Sequence, residues 1–404
     1  MQTNQPDDNV LVVLTDKLNG LSPSLSERCI FKVHNHLREA NEKVYEPELV
    51  SIGPYHRGKD KLQMMEEHKL CYLRLVLQRK NENLAKYVSA MRSLEEEARK
   101  CYAEPVELGS DQFVEMLILD SCFVVELMRK YEMGNLIEEN DNVFNMDWMI
   151  SNLQRDLMLF ENQLPFVVIR KMFGLIEEKM NNRHFLIYLA LRFFRGLLVK
   201  SVAPQALGES DSSIKHLLEL VHEGVLPLHL RQRSNVEAAE MKEFLYMPCA
   251  SKLAEAGVKF EKLAEGNLFD ITFKNGVMSI PPLRIENRTE SVFRNLIAFE
   301  QYSDDNCYKI VTEYASFMDR LIDTPKDVEI LSTRGIVHNW LGDDEVISNM
   351  FNKMVLSTVS SKHFIYDDVC NQVNIYCNRR MNRWMAKLKR DYLNSPCLLG
   401  LSSL

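Results

Sequence analysis

Along most of the chain apolar residues recur three and four positions apart, but from Leu268 to Ile280 they alternate. Phe269, Ile271 and Phe273 take turns with Asp270, Thr272 and Lys274, the period of a half-buried strand. Asn275-Gly276 follows, the pair a two-residue type I′ hairpin turn prefers because both central residues need positive φ. That turn sets a register with Phe273 opposite Met278, Thr272 opposite Ser279 and Ile271 opposite Ile280, so like faces like on both sides. Pro281-Pro282 donates no hydrogen bond and either confines the second strand to an edge or ends it. Thr289 then suits an N-cap with Glu290 in the first turn, and Phe293, Leu296, Ile297 and Glu300 share one side of the helix.

Elsewhere the pattern is helical. A turn at Pro23 is expected to lead into a helix with Ile30, Val33, His34 and Leu37 on one stripe. An extended piece with a Gly-Pro turn precedes a helix from about Lys61, with Leu62, Met65, Lys69, Tyr72 and Leu73 on one side, continuing to about Cys101. Asp111 to Met128 is a very apolar helix that carries Asp120 and Glu126; Asn152 to Glu161 repeats the theme with Arg155 and Asp156. Such carboxylates need partners, because an unpaired buried charge is costly. Pro165 suits the first turn of the next helix, residues 182–199 read as an aromatic-rich helix, and residues 203–245 as a loop region with one short helix. Helices over Cys307 to Leu321 and from Pro325 follow, then the glycine-punctuated GIVHNWLG and a helical remainder to Tyr392. The expected fold class is mainly α: an irregular multi-helix single domain over residues 16–392 with one small β-hairpin near 268–285, a flexible N-terminus over 1–15 and a tail over 393–404.

With 404 residues, 46% hydrophobic and 26% charged, the chain has the make-up of an ordinary globular protein. A net charge of -8 disfavours nucleic acid as a partner of the chain as a whole. The nine cysteines are scattered and form no C-x-x-C, which reads as reduced core thiols and gives no zinc ribbon. MQTNQPDDNV lacks the basic and apolar regions of a signal peptide, and no apolar run approaches membrane-spanning length. Synthesis in the cytosol is the expectation.

Candidate chemistry is thin. GPYHRGKD at 53–60 approximates a phosphate-binding loop, but Pro54 removes a cradling N–H and Asp60 puts a charge where the magnesium-ligating hydroxyl belongs. His68 with Cys71, and His34 with His36, have local ligand spacing without a second half, so no metal is expected. Asp120, Glu126, Asp156 and Glu161 suit either a separated acid/base pair or structural ion pairs, for instance with Arg155. No G-x-S-x-G elbow is present. The Asn287-Arg288-Thr289 sequon carries little weight without a secretory signal. No catalytic residue and no cofactor is assigned.

Several separate motifs nevertheless belong together: LVSIGPYHRG with LQMMEEHKLCYL, LDSCFVVEL at 119–127, RDLMLFENQLPF at 155–166, KLAEAGVKF at 252–260, the hairpin, TESVFRNLIAFEQ and GIVHNWLG. In order and spacing, from about residue 28 to 392, they resemble the plant domain of unknown function 247 family. The resemblance carries over no catalytic residues. It implies roles in plant reproduction, including self-incompatibility in grasses and sex determination, or in stress responses. It also implies a transmembrane helix just after a W-x-x-L-x-R-D-Y-like stretch, here RWMAKLKRDYL at 383–393. This chain stops about where that helix would begin, so a truncated or soluble form is expected.

The basic residues Arg379, Arg380, Arg383, Lys387, Lys389 and Arg390 face one acid, Asp391, while Met381, Trp384, Met385, Leu388 and Tyr392 recur at helical spacing. That is a basic amphipathic helix, suited either to the protein's own core or to peripheral contact with an anionic membrane surface; Cys397 beyond it is open to acylation. The function expected is that of a non-enzymatic recognition or regulatory protein with protein partners; the alternative is a hydrolase-like enzyme using buried carboxylates or histidines. A deep pocket where Asp120, Glu126, Asp156, Glu161, His56 or His68 converge would favour the enzyme, and pairing in a closed core would count against it.

Overall fold

The helical spacing does produce helices, seventeen among the described residues, and the alternation produces the hairpin. The protein is described by a computed structural model over residues 9–19, 27–177, 183–197, 214–227, 246–303, 309–361 and 364–379. In chain order the helices are α1 (Asn9–Asn19), α2 (Asn35–Arg38), α3 (Gln63–Lys80), α4 (Leu84–Arg92), α5 (Glu95–Lys100), α6 (Ser110–Glu132), α7 (Asn142–Asn145), α8 (Asp147–Asp156), α9 (Phe166–Ile176), α10 (Arg183–Phe193) and α11 (Leu217–Val225). After them come α12 (Ala250–Glu255), α13 (Thr289–Tyr302), α14 (Ile310–Leu321), α15 (Pro325–Thr333), α16 (Asp344–Met354) and α17 (Asp367–Asn378). The strands are β1 (Lys259–Lys262), β2 (Thr272–Lys274), β3 (Val277–Ile280), β4 (Leu283–Ile285) and β5 (Val337–Asn339).

Helix α6 is buried on every side from Met116 to Lys130, as its apolar sequence requires, and α3, α4, α9 and α10 pack around it. A second group forms where α13 meets α11, α14 and α16. One contiguous hydrophobic core joins both groups, from Cys29 to Val373.

The hairpin has the expected register, with Thr272 opposite Ser279 and Phe273 opposite Met278. Asn275 and Gly276 have φ of 53° and 82°. The ladder ends at Thr272, so Ile271 and Ile280 are not a paired rung. Pro281-Pro282 ends β3 but does not leave it at an edge, because β1 pairs with its other side in parallel. β4 and β5 form a further two-stranded parallel sheet. Short strands such as VHN at 337–339 have too few residues to show a period.

Three helical expectations change. Residues 28–34 are extended: Ile30 forms a parallel bridge with Tyr102, leaving α2 as a single helical turn. Of that stripe Ile30, Val33 and Leu37 are buried, on a different backbone, while His34 is exposed. The helix expected from Lys61 to Cys101 is three helices. Asn81 takes the left-handed conformation at φ 52° and stops α3, and the Asn83 side chain accepts the Ala85 N–H at 2.9 Å to start α4. Thr289 is the first residue of α13 rather than its cap, and its hydroxyl accepts the Glu286 N–H. Part of the N-terminus expected to be flexible is helical, as α1, with Val10 to Leu14 exposed.

Helix α17 ends at Asn378, and Arg379 leaves it with φ -59° and ψ 135°, so the basic amphipathic helix does not begin there. The rest of that segment, Arg380, Arg383, Trp384, Lys387, Lys389 and Arg390, lies outside the described residues, as do the 393–404 tail and most of 203–245. No helix among the described residues is long and apolar enough to cross a membrane.

Candidate functional site

Three of the charged residues singled out in the apolar helices, Asp120, Arg155 and Asp156, converge on one feature, the segment from Lys43 to Gly53, which leaves a 3-10 turn (Glu42–Tyr45) and then runs irregularly to Gly53. Val44, Tyr45, Val50 and Ile52 bury their side chains, so the segment's peptide groups are carried into the interior. Each such group needs a partner there. Among the described residues no strand runs beside it, and side chains take that place. The Val44 carbonyl accepts from Ser291 at 2.7 Å and Asn295 at 2.9 Å. Arg155 donates to the carbonyls of Lys43 and Glu46. Asp156 Oδ2 accepts the N–H groups of Glu48, Leu49 and Val50 at 3.0, 2.7 and 3.1 Å. Asn162 accepts the Ile52 N–H at 2.7 Å and donates to the Val50 carbonyl. The Lys69 ammonium donates to the Ser51 carbonyl and to Asp120 Oδ1, both at 2.6 Å, and Asp120 Oδ2 accepts the Gly53 N–H at 2.8 Å.

Burial raises the Asp120 and Asp156 carboxyls above their ordinary values; Lys69 opposes this at Asp120, and Arg155 with the three N–H groups opposes it at Asp156. Glu161 goes the other way. Burial acts to raise it, but His56, Arg38 and the Val33 N–H beside it outweigh that and hold it below the carboxylate range. Its partners are Arg38 at 2.6 Å, His56 Nε2 at 3.4 Å and the Val33 N–H at 2.5 Å. Glu126 takes Arg79 in a two-oxygen contact and also Arg129. All four carboxylates are thus structural partners.

The phosphate-loop look-alike has the same explanation. The Gly53 N–H is committed to Asp120, Lys59 reaches Glu46, and His56 lies against Glu46 and Glu161. Acidic side chains stand where a phosphate loop would need free donors. Gly53 itself is required, with φ +77° and a Cβ that would sit 2.5 Å from the Gln163 carbonyl oxygen. His34 and His36 meet each other through their Nδ1 atoms at 2.8 Å, and among the described residues no group of three or more His, Cys, Asp or Glu could hold a metal ion.

A cavity of about 760 Å³ opens between α5 and α9, with Cys29, Lys100, Cys101, Arg170 and Lys215 in its lining. None of Asp120, Glu126, Asp156, Glu161, His56 or His68 lines it.

The same device recurs at positions with little local signal. Glu300 of α13 accepts from the Val311 and Thr312 N–H groups at 2.9 and 2.8 Å, from the Thr312 hydroxyl and from His222 Nε2 at 2.8 Å, so it caps α14 from a neighbouring helix. His222 is raised to about 9: burial works against its charge, and Glu223 and Glu300 overcome it. Burial pushes His216 down to about 3. Glu313 is raised to about 8 by burial, with only the Ile365 N–H pulling it down. Sequence spacing placed Glu300 on the buried face of its helix but could not show what it meets.

These features define a mainly helical protein whose interior charges complete the hydrogen bonding of its backbone. The chain belongs to the plant family described as plant protein of unknown function, domain of unknown function 247, whose model matches residues 30–401. It is 30% identical over 391 residues to UPF0481 protein At3g47200 of Arabidopsis thaliana, covering 91% of this chain and 81% of that relative. It is 24% identical over 455 residues to the putative UPF0481 protein At3g02645 of the same plant, covering 89% and 84%. No solved structure matches.

Proposed function

We propose that this chain is a non-enzymatic recognition or regulatory protein that acts through contact with protein partners on the cytoplasmic side, in reproductive signalling such as self-incompatibility or sex determination, or in stress signalling. The observation that carries this reading is the commitment of Asp120, Asp156 and Glu161 to backbone N–H groups and buried cations. A hydrolase-like enzyme would need some of these groups free beside a substrate cavity. Recognition instead needs exposed anchors. Trp340 is 68% exposed at the end of β5, and the Arg284 guanidinium lies 5.4 Å from its ring centre; Trp and Arg are enriched where interfaces concentrate their energy. Affinity capture from plant tissue, with partners identified by mass spectrometry, tests this. Wild-type chain is expected to enrich a defined partner that Trp340→Ala and Arg284→Glu chains of unchanged melting temperature lose. No enrichment by the wild type would overturn the recognition reading, and equal enrichment by all three would overturn this surface.

A second reading rests on the basic pattern of Arg379, Arg380, Arg383, Lys387, Lys389 and Arg390 with Trp384. We propose that it contacts an anionic membrane surface, each basic residue near the surface adding about 1 kcal/mol. Sedimentation with anionic vesicles at low salt should carry down the wild type, and less of a chain with Arg383, Lys387 and Arg390 changed to Glu. A wild type that stays wholly in the supernatant would end this reading.

A further inference from the structure

Two of the cysteines, Cys29 and Cys101, 72 residues apart in sequence, both line the cavity between α5 and α9. The parallel bridge between Ile30 and Tyr102 brings them together. Cys29 and Ile30 both donate their N–H to the Cys101 carbonyl, at 2.9 and 3.0 Å, and the Ala103 N–H returns to the Ile30 carbonyl at 2.9 Å. Laterally adjacent residues of such a bridge have Cα atoms about 5 Å apart, inside the range a disulfide spans. Paired residues of a parallel bridge put their side chains on the same face, and the Cys101 sulfur donates to the Glu97 carbonyl at 3.5 Å. Cys29 is buried, Cys101 is partly exposed, and both line the cavity.

We propose that Cys29 and Cys101 form a reversible, peroxide-responsive disulfide, with Cys101 as the sulfur oxidised first and Cys29 as the resolving thiol. The order follows from access, since Cys101 is partly exposed and Cys29 is buried, and the shifts of the two thiols favour the same order. The Cys29 thiol is pushed up by its neighbour Cys101 and by burial. Cys101 is brought below the ordinary thiol value by its neighbour Cys29, with Lys215 helping, against burial and the nearby acids Glu97 and Glu27. The Cys101 thiolate attacks one oxygen of hydrogen peroxide, the O–O bond breaks and hydroxide leaves, giving a sulfenic acid. The Cys29 sulfur then attacks the Cys101 sulfur, the S–O bond breaks, and the hydroxyl leaves with the Cys29 proton as water. Two thiols and one peroxide give one disulfide and two waters. The link clips the extended 28–34 segment to the end of α5 and closes a loop that contains the buried 43–53 segment. It therefore constrains the unfolded chain without asking the folded one to move far.

The wild-type chain provides the test. It is treated with hydrogen peroxide, its free thiols are blocked with N-ethylmaleimide, and it is digested and mapped by mass. The expected result is loss of alkylation at Cys29 and Cys101 together, with a cross-linked peptide lighter by two hydrogens that dithiothreitol restores. The exposed Cys71 serves as an internal control and should remain alkylated at the peroxide level that closes the pair. Oxidised chain should melt roughly 2–5 °C higher than reduced chain. In Cys29→Ser, a dimedone-trappable sulfenic acid should accumulate at Cys101; in Cys101→Ser, Cys29 should stay alkylated. Recovery of both cysteines as alkylated thiols after Cys71 has been oxidised would overturn the proposal, as would cross-linking of either one to a different cysteine.

Discussion

Asp120, on the central helix α6, accepts the backbone N–H of Gly53 at 2.8 Å. A buried carboxylate thereby fixes a left-handed glycine in an irregular segment 67 residues earlier in the chain. Both partners are needed. The glycine's φ of +77° aims its N–H at Asp120 and brings its Cα against the Gln163 carbonyl.

Gly53→Ala should therefore destabilise by about 2–4 kcal/mol, since it combines positive φ with a Cβ forced against backbone. Chemical denaturation followed by circular dichroism measures it. A loss under about 0.5 kcal/mol, the range of an ordinary surface substitution, would mean the segment has room to shift.

Lys69 is completely buried with Asp120, the Ser51 carbonyl and Glu66 as partners. Lys69→Met leaves the carboxylate without its cation and should cost about 3–5 kcal/mol. Adding Asp120→Asn removes the stranded charge while keeping an acceptor for Gly53, so the double variant should regain part of the loss. Strictly additive losses would show that the two side chains do not act as a pair.

At the hairpin, Gly276→Val should cost about 1–3 kcal/mol. The turn needs positive φ there, and a Cβ would lie 2.6 Å from the Tyr376 ring of α17. An unchanged melting temperature would contradict both the turn type and that contact.

Glu313 gives a pH dependence of definite sign. Burial raises it to about 8 in the folded chain, with Glu300 and Asp367 adding to the rise, against 4.5 as its ordinary value. The folded state holds the proton more tightly, so this contribution to stability is full below about pH 4.5 and is lost as pH rises through about 8. His222, raised from 6.5 to about 9, adds a loss of the same sign between those values. Glu313→Gln keeps an acceptor for the Ile365 N–H and should flatten the decline between pH 5 and 8, making the variant about 1–3 kcal/mol more stable than wild type at pH 8. Urea midpoints at a series of pH values check it, and parallel curves for the two proteins would show that Glu313 is already ionised in the fold.

The sequence by itself determined the mainly helical class, the type I′ turn, the buried stripe from Leu62 at the start of α3 to Leu73, and the need of Asp120, Glu126, Asp156 and Glu161 for partners. These follow from local spacing and from the cost of an unpaired interior charge, both of which act residue by residue. Asn81 and Asn83 also held a readable stop and start signal that divides α3 from α4. Only the tertiary structure decided who the partners are. Asp156 sits about 106 residues from the Val50 N–H it accepts, and Glu300 caps a helix other than its own. Single-residue patterns cannot encode such pairings, because a backbone N–H looks the same at every position until folding strips the water from it. The same reason explains the missed strands: β1, β4 and β5 are only three or four residues long, and they exist because a neighbouring strand, set by packing, offers hydrogen bonds to each.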